Sequence, residues 1–206
     1  MKITWLGHSC FAIESHGYRI VLDPYQDGSV PGLAPVRIEA DRVLCSHGHS
    51  DHCGTECVSL RQGASSPFAV ETIDTWHDDK NGAKRGPNTI HILDDGQFRI
   101  AHLGDLGCEL TPAQKDRLRS LSALLIPVGG FFTINAAQAK ELAGELMPAV
   151  VIPMHYRGKG FGFPVIGKVE RFTKLCGNAV FYSGSELELA PQTGGQTAVL
   201  KPQNAS

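Results

Sequence analysis

Four side chains that can bind a metal ion lie within six consecutive residues, directly after a short apolar run. They are His47, His49, Asp51 and His52, and the run before them is Arg42–Ser46. Side chains alternate between the two sides of an extended backbone, so His47 and His49 point to the same side. If the chain then turns into a helix, Asp51 and His52 project together from its first turn. The segment therefore predicts a strand that ends at a tight, polar turn.

This cluster is costly unless a metal ion binds it. The three imidazoles repel one another if they are protonated, and desolvation of the imidazoles and the carboxylate is unfavourable. A bound cation offsets that cost. Gly48 and Gly54 permit the tight backbone that such a site requires. We therefore interpret the segment as part of a metal site.

Further metal-type residues follow other apolar runs along the chain. Functional side chains of sheet proteins lie in loops at strand ends, so residues in these positions are expected to converge on one site. Imidazole and carboxylate ligands without thiolate suit zinc, manganese or iron. The residues that follow predicted strands in this way are His77, His102, Asp105 and His155.

The other histidines and the cysteines are assigned structural roles. We interpret His16 and His91 as ordinary surface or core residues. The six cysteines include no CxxC pair, and a chain of this length does not need disulfide bonds. Cys53 and Cys57 lie near the histidines, but we favour small buried hydrophobic residues over metal ligands.

Length and composition indicate one globular domain. The chain has 206 residues, of which 42% are hydrophobic and 19% charged, and its formal net charge is −2. We expect one domain over residues 1–190 and a polar, frayed tail over 191–206. Because no basic block is present, nucleic acid is not an expected partner. No apolar stretch is long enough for a signal peptide or a membrane span, so we expect a cytoplasmic protein.

Short strands dominate the first half of the sequence, and helices enter in the second half. We interpret the first strands as an antiparallel meander, with a hairpin turn at 94–96. A helix is predicted over Ala136–Leu146, whose apolar residues repeat at helical spacing after Asn135 as N-cap. Two more helices are predicted, one beginning at Pro112 and one ending near Gly177. This mixture predicts layers, with helices packed on sheet faces.

The sequence resembles the metallo-β-lactamase-fold superfamily, whose signature His-x-His-x-Asp-His is matched by residues 47–52. Later ligands of that family are matched, in order, by His77, Asp105 and His155. Several strings also resemble a small bacterial branch related to ascorbate-6-phosphate lactonase and to the N-acyl-phosphatidylethanolamine phospholipases. These strings are Gly7-His8-Ser9, Asp23-Pro24, His102-Leu-Gly-Asp-Leu-Gly107 and Ile152-Pro-Met-His-Tyr156. The resemblance covers about residues 1–190.

The resemblance implies an α/β (α+β) architecture, a four-layer αββα sandwich with a two-metal site at one edge. The implied cofactors are two divalent ions, zinc first, with manganese or iron as alternatives. The intact Asp51 separates the chain from a related redox diiron branch. The implied ligands are His47, His49 and His77 for the first metal, Asp51, His52 and His155 for the second, and Asp105 as a bridge.

The implied chemistry is hydrolysis. Two cations would lower the pKa of a bridging water, the hydroxide would attack a carbonyl or phosphoryl centre, and a metal would stabilise the oxyanion. Asp51 is the catalytic candidate, since it can orient the nucleophile or accept its proton. We expect an ester, lactone, amide or phosphoester of a small metabolite as substrate. A nucleic-acid phosphodiesterase and a non-catalytic, metal-stabilised binding protein are the alternatives.

A second set of residues lies near the predicted ligands and is expected to support them or to contact substrate. Its basic members could grip a phosphate or a carboxylate. The Gly/Phe-rich loop 158–163 is either a substrate lid or only a connection. The members of the second set are His8, Asp23, His102, Arg85 and Arg157, with Lys159 close to the last.

Overall fold

The computed structural model describes residues 1–205. The chain begins with three antiparallel strands. These strands are β1 (Lys2–Gly7), β2 (Cys10–Ser15) and β3 (Tyr18–Leu22). β5 (Arg42–Leu44) pairs with β3 in parallel, and β13 (Glu186–Glu188) pairs with β1 antiparallel. The five-stranded sheet has the order β13-β1-β2-β3-β5. The expected meander is therefore correct for β1–β3 and wrong at β5, because a long loop brings the chain back before β5 begins.

A second sheet joins an antiparallel half to a parallel half. Its antiparallel strands are β7 (Ala69–Trp76), β8 (Pro87–Asp94) and β9 (Arg99–His102). Its parallel strands are β10 (Ala123–Pro127), β11 (Val150–Met154), β12 (Ala179–Phe181) and β14 (Gln196–Val199). The order is β12-β14-β11-β10-β9-β8-β7. β9, β10 and β11 run parallel to one another. β8 is antiparallel to both β9 and β7, so β7 runs in the same direction as β9. The carboxyl ends of β7, β9, β10 and β11 therefore lie at one edge of the sheet.

The two sheets pack face to face over one apolar core. Strand side chains alternate between the two faces of a sheet, and one face of each sheet supplies this core. Trp5, Phe11 and Ile20 of the first sheet belong to the same cluster as Ile92 and Leu125 of the second, and all five are fully buried. Burial of these large side chains holds the two sheets together, and with them the loops at their edges.

Helices cover the outer face of the second sheet. They are α1 (Pro112–Arg117), α2 (Ala136–Leu146) and α3 (Glu170–Cys176). α2 has the predicted bounds, begins with a capping box at Asn135 and contacts both α3 and β10. Within residues 1–205, no helix is both long and apolar enough to span a bilayer.

The outer face of the first sheet has a different cover. A parallel pair, β4 (Ile38–Ala40) and β6 (Val58–Leu60), lies there with a single 3₁₀ turn at Thr55–Cys57. A second apolar cluster, which includes Val21 and Tyr25, lies beneath this cover. The expected α/β sandwich is therefore confirmed, although the described part of this outer layer contains no α-helix.

The expected frayed tail is wrong for the segment that contains β14. This strand lies between β11 and β12, and Thr197, Ala198, Val199 and Leu200 are buried. The fold therefore extends past residue 190. A strand of four residues is too short to show a recognisable period, and the polar residues before it are typical of a frayed tail rather than of a strand.

Candidate metal centre

Five loops bring the metal-type side chains to one edge of the sandwich. The β1–β2 turn carries His8, and the segment after β5 carries residues 47–52. His77 follows β7, Asp105 follows β9, and His155 follows β11. The convergence predicted from the strand ends is therefore observed for His77, Asp105 and His155, and not for His102.

The ligand atoms form two separate groups, each compact enough to surround one ion, and a third group of His47, His52 and Asp105 that overlaps both. Within each group, the ligand atoms lie within 4.8 Å of one another. Among the described residues, no cysteine belongs to any of these groups, and all six cysteines are free. The first group is His47, His49 and His77, and the second group is His8, Asp51, His52 and His155.

The carboxylate of Asp105 lies between the two groups. Its Oδ2 is 3.3 Å from His77 Nε2 in the first group and 3.1 Å from His155 Nε2 in the second. Its Oδ1 is 3.1 Å from His52 Nε2. The side chain is buried, so these imidazoles are its main polar neighbours. This is the arrangement that a bridging carboxylate requires.

The segment after β5 folds into one tight turn rather than a helix. The backbone N–H groups of His52 and Cys53 both donate to the carbonyl of His49, at 3.0 and 2.9 Å. Gly54 closes the turn, where an added Cβ would lie 2.6 Å from the backbone of Gln26. The single turn still places Asp51 and His52 in one group, as the sequence suggested.

Asp23 holds His52 from behind. Its carboxylate accepts hydrogen bonds from the N–H and the Oγ of Ser46, both at 2.6 Å, and from His52 Nδ1 at 2.7 Å. Burial raises the pKa of Asp23, but His102 and His52 lower it to about 2. Because Nδ1 of His52 donates to Asp23, its Nε2 faces the centre. Asp23 therefore contacts a candidate ligand and does not reach the cleft.

Several buried polar atoms at this edge have no hydrogen-bond partner, which fits a bound cation. They include Nε2 of His47 and His52, both ring nitrogens of His155 and Oδ1 of Asp105. Burial and the nearby His52 lower the pKa of His47 to about 3, so this imidazole is neutral at pH 7. Neutral imidazole and ionised carboxylate are the forms that bind metals. The donor set therefore fits divalent cations.

His102 and Arg157 do not face these groups. His102 is fully buried, its Nε2 lies 2.8 Å from the carbonyl of Ser9, and its Nδ1 accepts from Gly104 N–H at 3.2 Å. The structure thus places His102 beneath the site and outside the cleft. Arg157 Nε donates to the carbonyl of Ile166 at 2.9 Å, and its side chain lines a surface groove that contains none of the metal-type residues.

Arg85 and three phenylalanines form one wall of the site. Arg85 donates to the carbonyl of Phe131 at 3.2 Å, and its guanidinium lies 5.4 Å from the ring centre of Phe132. The Phe132 ring lies 6.4 Å from that of His155, and the Phe163 ring lies 5.6 Å from that of His8. Sequence reasoning missed residues 131–132, because only the fold brings their loop next to His155.

The loop 158–163 is anchored to the rest of the molecule. Gly162 N–H donates to the carbonyl of Pro31 at 2.8 Å, and within the loop Gly158 N–H donates to the carbonyl of Phe161 at 3.1 Å. The ring of Phe161 lies 6.1 Å from that of Trp5 in the core. These contacts favour a connection over a lid.

Comparisons with known proteins agree with this fold. Residues 2–155 match the family described as beta-lactamase superfamily domain. A solved structure from Thermotoga maritima, described as a Zn-dependent hydrolase of the metallo-beta-lactamase superfamily, is 34% identical and covers 97% of each chain, with a TM-score of 0.75.

Two curated relatives carry the name UPF0173 metal-dependent hydrolase. The protein from Carboxydothermus hydrogenoformans is 29% identical over 76% of this chain and 84% of its own length. The protein from Thermoplasma acidophilum is 28% identical over 88% of this chain and 93% of its own length. The chain therefore belongs to the beta-lactamase superfamily domain family, as one of its metal-dependent hydrolases.

Proposed function

We propose that this hydrolase cleaves an ester, lactone, amide or phosphoester bond in a small metabolite, at a centre of two divalent cations. The observation that carries the proposal is the buried Asp105 carboxylate, which has imidazoles of both ligand groups within 3.3 Å. A carboxylate that lies between two groups of imidazoles could serve as a ligand to ions held by both groups.

The residues present fit two ions. Bound there, two cations supply an acidified water as nucleophile and stabilise the negative charge that develops on the substrate oxygen. Zinc suits the imidazole-rich donors best, and manganese and iron are alternatives. The proposed ligands are His47, His49 and His77 for the first ion, Asp51, His52 and His155 for the second, and Asp105 for both.

Asp51 is the proposed catalytic carboxylate. Its side chain is 20% exposed, so it borders the cleft. Burial alone would raise its pKa, but His8 and His52 hold that pKa well below its usual range. The carboxylate is therefore ionised at neutral pH, and Oδ2 can accept a hydrogen bond from an attacking water and orient it.

The wall of the site fits a small substrate with a polar or anionic end. After its hydrogen bond to Phe131, the Arg85 guanidinium still has N–H donors that can bind a phosphate or a carboxylate. The rings of Phe132 and Phe163 offer apolar contact beside it. His49 is exposed, so a small molecule can reach the ligand groups directly from solvent.

Elemental mass spectrometry of the purified chain tests the metal centre. We expect about two equivalents of zinc, manganese or iron per chain, since two ligand groups are present. His49→Ala should lower the content of the first ion, and Asp105→Ala should lower that of both. His16→Ala, at an exposed turn outside the site, is the control. A wild-type chain that holds no metal and cannot be reloaded would contradict the proposal.

A substrate panel tests the reaction on the metal-loaded chain. We expect turnover of a small ester, lactone, amide or phosphodiester, and loss of that turnover in Asp51→Ala. Cleavage of nucleic acid, with salt-sensitive binding, would instead favour the nuclease alternative. Two bound metals without turnover of any class would favour a non-catalytic binding protein. Either result would replace the proposed function.

A further inference from the structure

The β1–β2 turn holds the backbone of His8 in an unusual conformation. Its φ of +54° lies in the left-handed region, which residues other than glycine seldom adopt. Two hydrogen bonds fix it there: the carbonyl of His8 accepts from Trp5 Nε1 at 3.0 Å and from His155 N–H at 3.2 Å. Such a conformation persists where its surroundings determine it, and it sets the direction of the side chain.

The imidazole of His8 is buried among candidate metal ligands. Its side chain is 0% exposed, and neither ring nitrogen makes a hydrogen bond. Its ring centre lies 4.2 Å from that of His155 and 5.3 Å from that of His52. Asp51 Oδ2 lies 3.3 Å from Nε2 but outside hydrogen-bond geometry, so the buried ring lacks the full complement of partners that a bound cation would supply.

We propose that His8 is an additional protein ligand of the second cation, beside Asp51, His52 and His155; this inference rests on the proposed function. Neighbouring ligands at about 2.1 Å from a five-coordinate ion lie roughly 3.0–3.6 Å from one another. Nε2 of His8 lies 3.3 Å from Asp51 Oδ2, and Nε2 of His52 lies 3.7 Å from the same oxygen. These spacings are those of atoms that share one ion.

The two ion positions then differ in the number of protein ligands. With Asp105 counted at both, the second position has five ligand residues and the first has four. The second ion is therefore the more tightly held, and the first, beside the exposed His49, keeps more room for water and substrate. The competing explanation is that His8 only donates a hydrogen bond to Asp51.

Cadmium-113 NMR of the loaded chain separates these explanations, because scalar coupling from a ring proton to ¹¹³Cd requires a direct bond. We expect histidine correlations from six residues: His8, His47, His49, His52, His77 and His155. His8→Asn should remove one set of histidine correlations and lower the affinity for the second ion by at least ~10-fold. Asparagine tolerates a left-handed backbone but is too short to reach the ion.

His16→Asn is the matched control, since His16 has a φ of +50° in an exposed turn outside the site. It should keep all six correlations and both affinities. Correlations from five histidines in the wild type, without His8, would overturn the inference while leaving the proposed function intact. That count needs no variant, so it decides the question even if His8→Asn fails to fold. A wild-type chain that binds no cadmium would contradict the metal centre itself.

Discussion

Asp23 shows how a single carboxylate can prepare a metal site. It accepts a hydrogen bond from His52 Nδ1, and the same carboxylate is fixed by two hydrogen bonds from Ser46. Its backbone has a φ of +46°, in a turn that follows β3 directly. The orientation of His52 is therefore set before any ion arrives.

Replacement of Asp23 should weaken metal binding without abolishing the fold. In Asp23→Asn the amide offers one acceptor oxygen in place of two for three donors, so the ring of His52 is held less firmly. We expect the affinity for one of the two ions to fall about 10–100-fold, measured by competition with a chelator. Asp95→Asn, at a carboxylate outside the site, should leave both affinities unchanged. An Asp23 variant with wild-type affinities would show that His52 needs no such support.

For individual residues, the sequence predicted the candidate ligands of the His-x-His-x-Asp-His signature. It missed side chains that only the folded chain brings to the site. Residues 47–52 carry a local pattern whose chemistry can be recognised without a structure. Phe131 and Phe132 follow two glycines in an ordinary loop, and nothing in their spacing indicates His155 as a neighbour. The sequence predicts His8 only as a supporting residue or a substrate contact, because its burial among the candidate ligands depends on packing that no local pattern encodes.

Among the elements, the loop between β7 and β8 is organised by one side chain. Asp78 is buried and accepts hydrogen bonds from the backbone N–H groups of Lys80, Gly82, Lys84 and Arg85, at 2.7–3.1 Å. This loop follows His77 and carries Arg85 to the wall of the site. A candidate ligand and a candidate substrate contact therefore depend on the same carboxylate.

Asp78→Ala should release this loop and leave the strands beside it in place. Four backbone N–H groups lose their acceptor, so we expect faster hydrogen exchange over residues 80–85 and unchanged exchange in β7 and β8. Asp79→Ala is the neighbouring control, since Asp79 forms only exposed ion pairs with Lys80 and Lys84. Equal protection in both variants would contradict the assigned role of Asp78.

The β8–β9 hairpin makes stability depend on pH. Asp95 accepts from Ser15 Oγ at 2.6 Å and from the N–H groups of Phe98 and Gln97 at 2.7 and 3.0 Å. Burial raises the pKa of Asp95, but these bonds lower it below the ordinary value of 3.8. A lowered folded-state pKa contributes stability above the unfolded-state pKa, and that contribution is lost as the pH falls through the folded-state value.

Urea unfolding of the chelator-treated chain checks this pH dependence. We expect the wild type to be more stable than Asp95→Asn at pH 6–7, with a difference that shrinks once the pH drops below about 4. Asp74→Asn, at an exposed strand position, should show no such trend. A difference that stays constant down to pH 3 would exclude Asp95 as its source.

Elements with strong local signals were predictable and short strands were not. α2 has the predicted bounds because Asn135 and Gln138 form a capping box and the apolar residues repeat at helical spacing. β4, β6 and β14 have three or four residues each, which is too few for a period to emerge. Their positions are decided by the strands beside them, so only the folded chain reveals them.

For the molecule as a whole, the C-terminal segment is structural. Ala198 is fully buried on β14, so Ala198→Asp would place an unpaired charge inside the sandwich. We expect a loss on the order of 3–5 kcal/mol in the free energy of unfolding, measured with urea. Gln192→Asp, at an exposed position of the same segment, should change it by less than about 0.5 kcal/mol. Equal effects would indicate a tail that does not pack.

The sandwich itself was predicted from the resemblance and not from local patterns. Alternating apolar residues predict that a strand has a buried face, but they do not say which strand lies beside it. The pairing of β1 with β13 and the insertion of β14 join segments far apart in sequence. The helix expected over the first sheet is replaced by loops and by the β4–β6 pair, an exchange that composition does not indicate.

The pairing of β1 with β13 also bears on how the chain folds as it is made. Lys2 lies opposite Glu188, so the first strand cannot meet this partner until nearly the whole chain has been synthesised. At roughly 5–20 residues per second, the wait on a ribosome is on the order of 10–40 s. During that time one edge of β1 remains unpaired and able to join other strands. A nascent chain of this protein is therefore expected to need protection by chaperones until its last strands emerge.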